Sequence, residues 1–134
     1  MDTLDRRKLL ATEPNPDGTL DYLAALEGEI APLKGCPGAT ASIGLVYVPD
    51  KAILAPASFS RYLEALSKET WDSLEGVAVT VLGDINNEVV ARWVRVAVSA
   101  EPVLLPGVSA HTVMAEDRQP NWDNPALLSG LKRI

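Results

Sequence analysis

Apolar residues change their spacing along the chain, and each change predicts an element. Leu20, Tyr22, Ala24 and Leu26 recur at period two, so residues 19–31 read as a first strand. Lys34-Gly35-Cys36-Pro37-Gly38 has the Gly and Pro content of a hairpin connection. Over 40–48, Ala41, Ile43, Leu45 and Tyr47 alternate with Ser42, Gly44, Val46 and Val48, a second strand that Pro49-Asp50 ends. The period then lengthens. Phe59, Tyr62, Leu63 and Leu66 fall at i, i+3, i+4 and i+7 behind Pro56, which suits a first helical turn. Asp72 and Glu75 have capping-box spacing ahead of Leu74, Val77, Val81, Leu82 and Ile85, which predicts a helix over 72–88. Val94, Val96 and Val98 restore period two, and Val108 to Ala115 forms a further β-rich run.

The expected order is ββααββ, an α+β domain over residues 19–118. Residues 1–18, ending Pro14-Asn15-Pro16-Asp17-Gly18, read as an irregular lead-in, and 119–134 as a turn-like tail with a short Leu-bearing segment. Strand pairs around a helical pair imply an antiparallel sheet with helices on one face. A four-stranded unit of this kind has free edges, and the apolar segments 20–30 and 108–114 read as unguarded ones. Closed association of identical copies would pair them.

Composition narrows the chemistry. One domain suits 134 residues, and 47% hydrophobic with 22% charged residues is globular rather than disordered. No apolar run is long enough to span a bilayer, and Met1-Asp2-Thr3-Leu4-Asp5-Arg6-Arg7 lacks a signal core, so the expected compartment is the cytoplasm, with no membrane partner. A net charge of −6 disfavours nucleic acid. One Cys and one His leave no zinc-type cluster, so no metal is expected.

The order, together with particular residues, resembles the QueF family of 7-cyano-7-deazaguanine reductases, which have the tunnelling fold. The likeness lies in Pro14-Asn15-Pro16 and Asp21-Tyr22, in Tyr47-Val48-Pro49-Asp50, in Ser58-Phe59 and Tyr62-Leu63, in Asp84-Ile85 with Arg92-Trp93-Val94-Arg95-Val96, and in His111-Thr112-Val113 with Glu116-Asp117-Arg118-Gln119-Pro120. The resemblance implies a cyclic homo-oligomer that closes its sheets into a barrel, with pockets for a purine- or pterin-like heterocycle between subunits. It implies the chemistry of queuosine biosynthesis, NADPH-dependent reduction of a nitrile through a Cys thioimide.

Set against that chemistry, the residues divide. Cys36, in Cys36-Pro37, is the one thiol able to attack a nitrile carbon. The general-acid Asp that the family carries downstream has no counterpart, with Ala39 nearest; a loop thiol without catalytic duty is the alternative. The Lys-bearing cofactor motif is here Ala55-Pro56-Ala57-Ser58-Phe59-Ser60-Arg61-Tyr62, so Arg61 alone is left to meet a phosphate. Each lost charge-assisted contact removes about 1.5–3 kcal/mol, which speaks against NADPH use. Counted back from Asp84, the resemblance implies Glu75 as the heterocycle anchor, a role that suits a carboxylate, which accepts from two parallel N–H donors; within the capping box it would instead serve a backbone N–H. The family's adjacent His is Leu74. His111 and Glu116 are further substrate-binding candidates, five residues apart and so on opposite faces of a regular strand. Trp71, Trp93 and Trp122 are expected in core or interface. The leading expectation is a QueF-like protein that keeps a heterocycle pocket, needs no cofactor to bind, and has lost nitrile reduction. An active reductase using Cys36 and a non-enzymatic oligomeric subunit are the alternatives.

Overall fold

A computed structural model describes residues 2–31, 40–101, 103 and 105–131. The elements run α1 (Thr3–Lys8), β1 (Thr12–Pro14), β2 (Ala24–Ile30), β3 (Thr40–Val48), β4 (Ala52–Leu54), α2 (Pro56–Ser67), α3 (Leu74–Val89), β5 (Trp93–Glu101), β6 (Thr112–Arg118) and α4 (Pro125–Leu128). Strands β2-β3-β5-β6 form one antiparallel sheet, while β1 and β4 pair separately. This is a mixed α+β architecture, and the lead-in and the β3–α2 connection carry more structure than apolar spacing predicts.

The central pair β3·β5 explains the core. Alternation sends Ala41, Ile43, Leu45 and Tyr47 to the face shared with Val94, Val96 and Val98, all nearly inaccessible to solvent. Helices α2 and α3 cover that face with Phe59, Tyr62 and Leu66 from one and Leu74, Val77, Val81 and Ile85 from the other. Helix α2 lies tight against edge strand β2, where a Cβ on Gly28 would overlap the Leu63 side chain. Glycine at that position lets helix and strand approach closely.

Differences from expectation have local causes. Helix α1 buries no residue, so no apolar stripe announces it; Asp2 caps it by accepting from the Asp5 N–H at 2.8 Å, and Arg6, Arg7 and Lys8 suit its C-terminal turn. Strand β2 starts at Ala24 rather than near residue 19, because Asp17, Asn15 and Thr19 hold the preceding chain in side-chain turns. The outward positions of β2 carry Glu27 and Glu29, and β6 ends in Glu116, Asp117 and Arg118, so both sheet edges are charged rather than unguarded. The predicted capping box is not formed: Ser73, not Asp72, is the N-cap of α3 and accepts from the Gly76 N–H at 3.0 Å. The connection over 34–38 lies outside the described residues.

Two ionic clusters fix the ends of the chain to this frame. Asp84 on α3 is 1% exposed and accepts from Arg6 Nε at 2.8 Å, Arg7 Nε at 2.9 Å and the Tyr62 hydroxyl at 2.6 Å. Arg92, ahead of β5, pairs with Asp21 at 2.9 Å and Asp50 at 3.2 Å. Asp21 also accepts from Trp122 and Asn124, and Asp50 from Gln119, so the lead-in, the β3–β4 turn and the C-terminal tail converge on one guanidinium.

Candidate functional site

Ser73 caps α3, which places Glu75 in its first turn, where the partial positive charge of the helix end favours a carboxylate. Across from it, just ahead of β6, the His111 backbone carbonyl accepts from Ala100 N–H at 3.1 Å and extends the β5–β6 ladder by one residue. That fixes the imidazole on the helix-covered side. His111 Nε2 lies 3.7 Å from Glu75 Oε1, within ion-pair range but too long for a hydrogen bond. The side chains are 38% and 65% exposed, so both remain reachable by a ligand. The structure thus unites two residues 36 positions apart. Leu74, where the family resemblance puts a His, is fully buried and serves the core.

Glu116 stands elsewhere. Its strand position faces the helix-free side of the sheet, where its Oε2 accepts from Trp93 Nε1–H at 3.0 Å and lies 3.6 Å from Arg95 Nη2. His111 and Glu116 therefore point to opposite faces, and Glu116 does not join Glu75. Arg61 is exposed on α2, beside a depression of about 380 Å³ shared with Leu9, Glu64, Lys68 and Glu69. Two carboxylates there offset the two cations, and Lys68 is already 3.8 Å from Glu64. Ala57 and Ser60, on the same stretch, are exposed and offer no charge. A hollow of about 450 Å³ lies between β2 and α2, at the sheet edge opposite β6, and takes in none of the expected site residues. Cys36 and Ala39 lie outside the described residues. Trp93 is fully buried, while Trp71 and Trp122 are half-buried and donate to the Leu66 carbonyl and to Asp21.

Asp84, Arg92 and Asp50, all within the segments that carry the family resemblance, spend their polar atoms on the frame. Burial, with the Asp84 carboxylate beside it, pushes the Tyr62 phenol far up, so it stays a neutral donor. Hydrogen bonds from Asn124, and also from Arg92 and Trp122, hold the Asp21 carboxyl below its ordinary range. Sequence reasoning missed the Arg6-Arg7 clasp on Asp84; the adjacent arginines ahead of a helix bearing a mid-stripe Asp were the available signal.

No protein-family model and no curated protein matches the chain. Among solved structures it is similar to the archaeosine synthase QueF-Like in the apo form, with a TM-score of 0.56 and 22% identity over 72% of this chain and 91% of that one. The class defined by that likeness is a QueF-like fold: a mixed α+β domain built on an antiparallel sheet. None of the helices among the described residues is long and apolar enough to cross a membrane.

Proposed function

We propose that this protein binds a 7-deazapurine, purine or pterin-like heterocycle at the N-terminal end of α3, with Glu75 as anchor and His111 beside it. The observation that carries the reading is the convergence of a solvent-reachable carboxylate and imidazole, 3.7 Å apart, from two elements of a QueF-like fold. Glu75 offers acceptors to the amino and ring N–H groups of such a ring, and His111 supplies a polar atom at its flank. Binding needs no cofactor. NADPH-dependent nitrile reduction is lost, since Arg61 is the sole cation of the former motif and sits among acids. The solved neighbour is itself named as a synthase rather than a reductase. The pocket is completed by a second copy in a cyclic homo-oligomer.

Calorimetry with 7-cyano-7-deazaguanine, guanine and pterin tests the reading. At least one ring binds the wild type, and Glu75→Gln weakens it about 10- to 100-fold, because the amide replaces one acceptor with a donor. No binding by any of the three overturns it. Intact mass after incubation with the nitrile checks the reductase alternative: a thioimide adduct absent from Cys36→Ala, with NADPH oxidation, would restore catalysis. Light scattering checks assembly, and a 14.3 kDa monomer at micromolar concentration would refute the shared pocket.

A further inference from the structure

The helix-free face of the sheet holds a guanidinium that its surroundings do not satisfy. Arg95 is the third residue of β5, between Val46 of β3 and Glu116 of β6. Its side chain is 19% exposed, yet among the described residues its one charged contact is Glu116 at 3.6 Å, beyond hydrogen-bond length. Its Nε is sealed from solvent and has no acceptor. The guanidinium lies 5.1 Å over the Trp93 ring, so stacking holds it in place. Glu116 Oε2 is meanwhile committed to the Trp93 indole N–H at 3.0 Å. Buried polar groups in folded proteins are normally hydrogen-bonded, so the bare Nε marks a guanidinium held by packing rather than by acceptors within the fold. Gly44 and Ala97, the next cross-strand pair toward the sheet's far end on this face, carry no side chain beyond a methyl. Arg118, on the same face, is engaged by Asp123 at 3.1 Å and does not compete.

We infer that Arg95 is the anchor of a second binding site, on the helix-free face, for a small oxyanion group, a carboxylate or a phosphate. A planar fork of N–H donors held by an aromatic ring matches two oxygens of such a group, which approaches the partly exposed guanidinium from solvent while Nε itself stays sealed. The site is separate from Glu75 and His111 and does not depend on the ring-binding reading.

Trp93 reports on it, because its ring underlies Arg95 and its N–H meets Glu116. In ¹H–¹⁵N spectra of the full chain, inorganic phosphate and acetate are titrated separately at ionic strength matched with sodium chloride. The expected result is a saturable shift of the Trp93 indole signal with at least one anion; phosphate alone or acetate alone identifies which group the site takes. Arg95→Lys, which keeps the charge without the fork, should weaken the response about fivefold or more, and Arg95→Gln should abolish it while the spectrum stays dispersed. If Arg95→Gln fails to fold, the Arg95→Lys comparison decides, and an unweakened response there overturns the site. An equal shift with sodium chloride alone, no saturation with either anion, or a full response in Arg95→Gln likewise overturns it.

Discussion

Replacing Asp84 with Asn keeps the size and an acceptor oxygen for Tyr62 but removes the one charge that two arginines share. Arg6 and Arg7 are 12% and 29% exposed and approach the carboxylate at 2.8 and 2.9 Å, while Asp84 itself is 1% exposed. Deleting one partner of a buried pair costs about 3–5 kcal/mol, because the remaining charge stays desolvated without compensation. The partial exposure of Arg7 puts Asp84→Asn toward the lower end of that range. Against a total of about 5–15 kcal/mol, this is a large share of the fold's stability, and it should lower Tm by roughly 10–20 °C. Urea unfolding followed by circular dichroism measures it, with an unchanged m-value confirming that the unfolding reaction is the same. Arg6→Met should cost less, about 1.5–3 kcal/mol, since Arg7 and Tyr62 still hold Asp84. The double variant should recover about 1 kcal/mol or more relative to Asp84→Asn alone, because the stranded Arg6 charge is gone. A loss under about 1 kcal/mol for Asp84→Asn would refute the reasoning: the arginines would be reaching water, and α1 would be no clasp.

Other outcomes test separate steps. Ser73→Ala should cost about 0.5–2 kcal/mol in thermal unfolding while Asp72→Ala stays near zero, the reverse of what a capping box starting at Asp72 requires. Gly28→Ala should cost about 1–3 kcal/mol by driving a methyl against Leu63, and Leu63→Val in the same chain should relieve it. Val90 closes α3 at φ 52°, ψ 53°, a left-handed conformation unfavourable to a β-branched residue, so Val90→Gly should raise stability by about 1 kcal/mol. Asp21 has a depressed carboxyl, so its stabilisation is complete above the ordinary Asp range near pH 3.9 and fades as pH falls through its lower folded-state value. Asp21→Asn should flatten the stability–pH curve below about pH 4, and an unchanged acid limb would refute that role.

What the sequence disclosed follows from where burial does the work. Strand β3 spans the predicted 40–48 because its alternation is clean between one face closed by helices and another left open. Helices α2 and α3 were legible from stripes that are in fact buried. Helix α1 and strands β1 and β4 were not, because α1 is held by ion pairs and β1·β4 is three residues long. Asp72 and Ser73 are both good caps, and only backbone geometry chooses between them. For the site, alternation correctly separated His111 from Glu116, but no periodic signal joins His111 to Glu75, since their approach depends on how α3 lies along β6. The segments that made the chain look familiar hold frame residues such as Asp50, Asp84 and Arg92, so they carry information about shape more than about chemistry.

The Arg92 cluster also sets a timetable for synthesis. Asp21 emerges early, yet two of its partners, Trp122 and Asn124, lie 101 and 103 residues later, and Gln119 reaches Asp50 across 69. A nascent chain can assemble the β3·β5 core before those residues exist, but it cannot lock the lead-in against residues 119–124 until they have been made. A polypeptide halted before residue 119 would carry its main sheet with Asp21 and Asp50 held by Arg92 alone. Residues 119–124 thus act as a late clamp, separating a chain that has them from a shortened one that already has most of its core.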